Sequence, residues 1–264
     1  MAKRVVIWGG TGFVGRMVIP EVLDHPDFEL VGVGVSNPAK VGVDAGEICG
    51  IGNIGIAATD DVDALIALKP DALVHYGPTA AQADANIDLI GRFLNAGIDV
   101  CSTAMTPPWV WPKMHLNPPN WIDPPITRAC EAGQSSCFTT GIDPPGFAND
   151  LFPMTLMGLT SQVKLVRASE LLDYTNYEGD YEFEMGIGRE PEFKPLLQNS
   201  DILVFAWGGA TVPMIAYAAG IELDEITTTW DKWVTPDRAQ DRQGRHPRRP
   251  RRGGPVHDQR RLQG

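Results

Sequence analysis

The sequence has little of what builds a metal centre. Its four cysteines, Cys49, Cys101, Cys130 and Cys137, form no Cys-x-x-Cys pair and no Cys/His cluster at zinc spacing. They read as reduced thiols of a cytoplasmic protein, mostly in a core. Low-complexity bulk is also missing: 43% of the residues are hydrophobic and 21% charged, as in an ordinary soluble protein. The opening MAKRVVIWGG enters a strand pattern at once and leaves no room for the apolar region and cleavage site of a signal peptide. A long uncharged run occurs once, ILVFAWGGATVPMIAYAAGI over residues 202–221. Gly208-Gly209 and Pro213 divide it into a strand-like ILVFAW and a short helix-like VPMIAYAAG, and Asp201, Glu222 and Asp224 flank it without a basic anchor. It reads as a buried strand and helix, so no membrane partner is expected.

Positive charge is scarce except at one end. The net charge is −11, yet residues 238–264 (RAQDRQGRHPRRPRRGGPVHDQRRLQG) carry nine Arg against two Asp, leaving −18 on the rest. An acidic body of this kind excludes nucleic acid as its expected partner. The tail has no aromatic residue and no hydrophobic period. Three readings stand: a basic tail for nucleic acid or an acidic membrane surface, a solvated tail of no consequence, and out-of-frame translation of GC-rich DNA. The abrupt change after the orderly EITTTWDKWVTPD favours the frame slip.

What is present is an alternation of short apolar strands with amphipathic helices. RVVIW (4–8) reads as a strand buried on both faces. A helix follows from about Phe13, with Val14, Val18 and Val22 on one face and Pro20 as a kink. ELVGVGV (29–35), IGIAA (54–58), DALVHY (71–76) and IDVCST (98–103) read as four further strands. Thr79 and Gln82 make a capping box before a helix whose face is Ala83, Ile87, Ile90 and Leu94, stopped by Gly97. This order predicts right-handed parallel crossovers and an α/β, doubly wound parallel sheet. The proline-rich stretch 104–125, with Trp109, Trp111 and Trp121, reads as a rigid loop. SCFTTG (136–141) resumes strand character, FANDLFPMTLMGL (147–159) reads as a helix, and 162–175 and 224–235 read as strands of a second α+β domain short of partners. The expected organisation is a dinucleotide-binding domain over 1–140, a partial, truncated α+β domain over 141–237, and the arginine tail over 238–264.

Gly10-Thr11-Gly12-Phe13-Val14-Gly15 is G-x-G-x-x-G, following a strand and opening a helix. In that context the first Gly allows a tight turn, the second admits a pyrophosphate and the third lets helix and strand approach. Free N–H groups at the helix start then face the phosphates. Gly9 is a glycine beyond the motif's need. The second strand ends in Val35-Ser36-Asn37-Pro38-Ala39-Lys40, without the carboxylate that usually holds the ribose hydroxyls of NAD. Ser36 and Lys40 suit a 2′-phosphate, so NADP(H) is favoured, with NAD(H) left open through Ser36 and Asn37. Gly77, Pro78 and Thr79 after the fourth strand, and Ser102, Thr103 and Ala104 after the fifth, are expected to line the nicotinamide side. His75, within an apolar strand, reads as a packed, hydrogen-bonded histidine rather than an acid or base.

VVIWGGTGFVGR, LVGVGVSNPAKVGVDAGEICG, HYGPTA and TTGIDPPGFANDLFPMTL, in this order, resemble the dihydrodipicolinate reductase-like oxidoreductases. Within them the chain is most similar to the 2,4-diaminopentanoate dehydrogenase and native amine dehydrogenase branch, over about residues 3–237. The resemblance implies a Rossmann domain, a second domain whose sheet builds a homodimer, and NAD(P)-dependent oxidoreduction of C–NH2 or C=N groups on a small amine, imine or carbonyl substrate. A 4-hydroxy-tetrahydrodipicolinate reductase-type reaction is the alternative, although its His-His-x-x-Lys and Ser-Gly-Thr signatures are absent from the sequence. A cofactor-binding protein without turnover is another. Amine dehydrogenases of the branch carry a Glu just after the Ser-Thr of the fifth strand, where this chain has Ala104-Met105. Gly9-Gly10 and Pro144-Pro145 are each one residue longer than the family pattern, and the family chain continues for about another third.

An iminium needs a carboxylate or polar anchor in a closed site. Glu178 is the candidate acid or ammonium anchor and Asp143 the candidate cleft carboxylate. Asn176, Tyr177 and Asp173 are the candidate substrate contacts. Each has a structural alternative: Asp143 as a helix cap, the acidic run around 178 as a solvated face.

Overall fold

The computed structural model describes residues 1–12, 14–77, 83–103, 123–139, 146–174, 185–199 and 211–234. These fall into two units, Met1–Glu170 with Asn199–Thr229, and Leu171–Gln198 with Trp230–Gly264.

The first unit holds a five-stranded sheet of β1 (Lys3–Trp8), β2 (Phe28–Gly34), β3 (Ala72–His75), β4 (Asp99–Ser102) and β5 (Cys137–Thr139). All neighbours are parallel, in the order β2-β1-β3-β4-β5. Side chains alternate across a strand, so the apolar run of β1 feeds both faces. Val6 packs with Leu73, Ile90, Phe93, Leu94 and Ile126. Val5 and Ile7 pack on the other face with Ile19, Val22 and Val33. The helices delivering these residues are α1 (Gly15–Asp24), α4 (Ala83–Asn95) and α5 (Asp123–Gly133). Shorter helices α2 (Ala45–Cys49) and α3 (Val62–Ala67) lie between β2 and β3. The chain leaves β1 toward β2 and returns across it to β3, which opens a crevice at the carboxyl ends of β1 and β3.

Several expectations change. The inward face of α1 is Gly15, Ile19 and Val22, while Val14 is exposed. IGIAA forms no ladder. Gly52 and Gly55 take positive φ, and the Asp44 carboxylate captures the N–H groups of Ile54 and Ile56, which leaves only isolated bridges at Ala57 and Thr59. Helix α5 begins at Asp123 within the stretch read as a loop. Pro124 and Pro125 sit in its first turn, where a missing N–H is harmless.

Downstream, Phe147–Leu151 is a π-helical turn leading into α6 (Phe152–Met157), not one regular helix. Pro153 offers no N–H to the Asn149 carbonyl, and Leu151 N–H reaches back to Gly146 O at 3.4 Å. The strands expected over 162–175 and 224–235 form no ladder in their described residues, 162–174 and 224–234. Their alternating residues find no neighbouring edge, and Leu165, Leu171 and Trp233 stay exposed. Helix α7 (Thr211–Ala219) matches the helix expected at the end of the apolar run, while 202–207 lies outside the described residues. Among the described residues no helix is long and apolar enough to cross a membrane.

In the second unit, the Lys232 ammonium donates to the carbonyls of Pro191 (3.0 Å) and Phe193 (2.5 Å), and the Arg189 guanidinium lies 5.0 Å from the Phe193 ring centre.

Candidate functional site

The turn after β1 is fixed by backbone packing that only glycine permits. Gly9 has φ +76°, and a Cβ there would lie 1.6 Å from the Tyr76 carbonyl oxygen. Its N–H donates to Gly34 O (2.9 Å) and its carbonyl accepts from Gly12 N–H (3.0 Å). A Cβ on Gly15 would meet Gly10 Cα and Gly9 O, each at 2.4 Å. Gly9 is therefore the residue on which the tight turn depends, a correction to its reading as surplus. The working spacing is Gly9-x-x-Gly12-x-x-Gly15. Gly10 instead abuts Ile7 and Ile19, its Cβ position 2.7 Å from Ile7 Cγ2. At Gly12 the nearest atom to a Cβ is Gly9 O at 3.2 Å, so this position is otherwise open. Helix α1 starts with no side-chain cap on Val14. The N–H groups of Arg16 and Met17 turn back onto Gly12 O (3.0 Å) and Val14 O (3.2 Å) instead. Phe13 lies outside the described residues.

Past β2, Ser36 is exposed and Asn37 Oδ1 accepts from Ala39 N–H at 3.0 Å, capping the short turn Pro38–Lys40. Lys40 Nζ donates to Thr11 O (2.8 Å) and Thr11 Oγ1 (3.2 Å), which brings two sequence-predicted cofactor residues together. Asp44 is a residue the sequence reading missed. Its carboxylate accepts from the N–H groups of Gly46 (2.9 Å), Glu47 (3.2 Å), Ile54 (3.1 Å) and Ile56 (3.1 Å). Desolvation alone would raise its pKa, but these donors together hold it below the ordinary carboxylate value. The available signal was Asp44 three residues before Glu47, a cap spacing. Cys49 Sγ lies 3.7 Å from Gly10 O, and burial pushes its thiol up against the opposing field of Lys40 and Arg16.

At the ends of β3 and β4, His75 and Ser102 are fully buried and share a hydrogen bond, Nδ1 to Oγ, at 2.9 Å. Desolvation lowers the His75 pKa to about 4, opposed by the neighbouring Asn86. The ring is neutral at pH 7, in line with the packed histidine read from the sequence. The Ser102 hydroxyl is thereby occupied within the fold. Thr103 N–H donates to His75 O (3.2 Å) while its side chain is exposed. A Cβ on Gly77 would lie 2.9 Å from Asn86 Oδ1 and from His75 Cε1 and Nε2. Pro78, Thr79, Gln82 and Ala104 lie outside the described residues.

The candidate catalytic group is not assembled in the described geometry. Asp143, Asn176, Tyr177 and Glu178 lie outside the described residues, and Asp173 is exposed in the second unit. A buried carboxylate that the sequence reading passed over is Asp150, 3% exposed in the π-helical turn. Its Oδ2 accepts from Gly146 N–H (2.6 Å) and from Thr211 Oγ1 (3.4 Å), tying the turn to α7. Burial raises its pKa against the N–H groups of Gly146 and Leu151 and the Thr211 hydroxyl. Among the described residues no group of His, Cys, Asp and Glu could hold a metal ion.

Residues 3–92 match the family model of the dihydrodipicolinate reductase N-terminus. An amine dehydrogenase from Streptomyces virginiae is 36% identical over 230 residues, 86% of this chain and 62% of the relative. A 4-hydroxy-tetrahydrodipicolinate reductase from Alkalilimnicola ehrlichii is 41% identical over 78 residues, covering 29% of this chain and 28% of its own. Among solved structures, amine dehydrogenase from Mycobacterium smegmatis superposes with a TM-score of 0.51 at 18% identity, over 62% of this chain and 46% of that one. The chain thus spans less than two thirds of the relatives it matches. Residues 3–92 carry the pattern of a dihydrodipicolinate reductase N-terminal domain, and the chain is similar to an amine dehydrogenase over most of its own length.

Proposed function

We propose that this chain is an NAD(P)-dependent oxidoreductase that binds NADP(H) in preference to NAD(H) and acts on C–NH2 or C=N groups of a small molecule. The observation that carries the reading is the Gly9–Gly15 turn, where backbone lies against backbone below an uncapped helix start. Such a turn fits a dinucleotide pyrophosphate. The 2′-phosphate preference rests on Ser36 and Lys40 at the end of β2, with no carboxylate in Val35–Lys40 to repel it. Lys40, held against Thr11, is within side-chain reach of both the turn and the adenosine ribose region.

The bound nicotinamide would supply the hydride transfer. The chain's own residues hold and orient it: the Gly9–Gly15 turn on the phosphates, Ser36, Asn37 and Lys40 at the adenosine end, and Gly77 and Thr103 at the nicotinamide end. The roles of Phe13, Pro78, Thr79 and Ala104 in lining that path, and of Ser102 behind it, belong to the same proposal. Glu178 serves as acid or ammonium anchor and Asp143 as the cleft carboxylate, with Asn176, Tyr177 and Asp173 on the substrate. The proposed organisation is a cofactor domain over 1–140 and a substrate domain over 141–237 that dimerises, in a cytoplasmic protein.

A second reading is cofactor binding without turnover, because the observations that carry the first, the glycine turn and Lys40 against Thr11, lie in the dinucleotide-binding part alone. The deciding experiment follows NADPH formation when the purified chain meets NADP⁺ and a panel of short-chain primary amines and diamino acids. It is repeated in reverse with the matching carbonyl compounds and ammonia. Turnover lost in Glu178→Gln supports the amine reading. Turnover only with cyclic imine dicarboxylates moves the chain to the reductase alternative, and cofactor binding with no turnover on either panel leaves the binding protein.

A further inference from the structure

We infer that His75 is a positioning residue that sets both nicotinamide-side loops of the crevice. The inference rests on the cofactor reading above. One residue at the end of β3 reaches both loops by separate contacts. Its imidazole shares a hydrogen bond with Ser102 Oγ (2.9 Å), fixing the end of β4. Its carbonyl accepts from Thr103 N–H (3.2 Å), fixing the first residue of the β4 loop. The other edge of the ring, Cε1 and Nε2, lies where only a glycine at position 77 leaves room, with Asn86 Oδ1 at the same distance from that point, 2.9 Å. Gly77, the second residue after β3, therefore lies directly against the ring.

Burial argues that the imidazole is there for its contacts with Ser102 and Gly77, the Thr103 contact being made by the backbone carbonyl. Nδ1 is bonded to Ser102, but Nε2 is buried without a hydrogen-bond partner, a cost that an aliphatic residue filling the same space would not carry. The neighbouring positions of the sheet, Leu73 and Val100, are aliphatic and as deeply buried. His75, Ser102 and Asn86 form a polar patch in that apolar layer, at the strand ends where the crevice opens. The adenosine end, built from Ser36–Lys40 and Asp44, shares none of these contacts.

The test separates the two ends of the cofactor. The full chain and its His75→Leu, His75→Asn and Ser102→Ala variants are titrated with NADPH and with 2′-phospho-ADP-ribose, which lacks the nicotinamide half. His75→Leu and Ser102→Ala are expected to weaken NADPH by about tenfold or more while the fragment stays within about twofold, a difference of about 1.4 kcal/mol confined to one end. His75→Asn, whose amide can stand in for Nδ1 toward Ser102, restores most of the NADPH affinity. If His75→Leu does not fold, Ser102→Ala carries the comparison alone. Equal weakening of both ligands, or no change in NADPH affinity, overturns the inference. Failure of the unmodified chain to bind either ligand overturns the cofactor reading, and the inference with it.

Discussion

Replacing Gly9 and Gly12 separately by Ala should divide folding from binding. At Gly9 the added Cβ would fall 1.6 Å from the Tyr76 carbonyl oxygen, at φ +76°. The left-handed backbone costs an L residue about 1–2 kcal/mol. The overlap with backbone, which no flexible side chain can relieve, adds about 1–3 kcal/mol. For a chain of this size that sum lowers Tm by on the order of 10 °C. At Gly12 the nearest atom to the new Cβ is Gly9 O at 3.2 Å, a contact relieved by a shift of a few tenths of an ångström. Gly12→Ala should therefore keep Tm within about 3 °C, a loss below about 1 kcal/mol. It nevertheless places a methyl group where a pyrophosphate must approach, so NADPH should bind about tenfold or more weakly, about 1.4 kcal/mol. The assays are thermal unfolding by circular dichroism and fluorescence titration with NADPH. Gly9→Ala melting like the unmodified chain, or Gly12→Ala binding as tightly, would refute the argument.

Other expectations follow from buried and paired groups. The His75 pKa is lowered from 6.5 to about 4 in the folded chain, so the unfolded chain binds more protons between those values. Its contribution to stability is complete above about pH 6.5 and is lost as the pH falls through about 4, on the order of 3 kcal/mol in all. Ser102 and Asn86 beside it are uncharged, so urea unfolding of His75→Asn should show a flatter acid limb; an unchanged limb would count against the assignment. Asp44→Ala removes the acceptor for four backbone N–H groups, and its effect should concentrate on 2′-phospho-ADP-ribose rather than on nicotinamide mononucleotide. Burial pushes up all four thiols, Cys137 to about 12, so alkylation by iodoacetamide at pH 7 should be slow in the folded chain and fast in denaturant.

Much of the cofactor half was legible because local rules and global packing agree there. VVIW (5–8) is apolar at every position since β1 is covered there on both faces, and the sequence says so directly. The role of Gly9 was hidden because the steric partner that demands it, Tyr76 O, is 67 residues away and only the parallel pairing of β1 with β3 brings it close. Asp44 was passed over for the same reason: two of its four donors, Ile54 and Ile56, lie across a loop. IGIAA has the composition of a strand, but its glycines and the pull of Asp44 outweigh propensity. The alternating stretches after Gln162 expected strands from pattern alone, and pattern cannot supply the neighbouring edge a ladder needs. His75 was read correctly as packed, although its link to Thr103 and Gly77 depends on where two separate strands end.

The central claim, that the Gly9–Gly15 turn holds a nicotinamide dinucleotide with a preference for the 2′-phosphate, is tested most directly by calorimetric titration of the purified chain with NADPH and NADH. The account predicts saturable binding of one NADPH per chain, weaker binding of NADH, and a preference that narrows in Lys40→Ala. No saturable heat with either nucleotide, or equal affinity for both that Lys40→Ala does not alter, would contradict it.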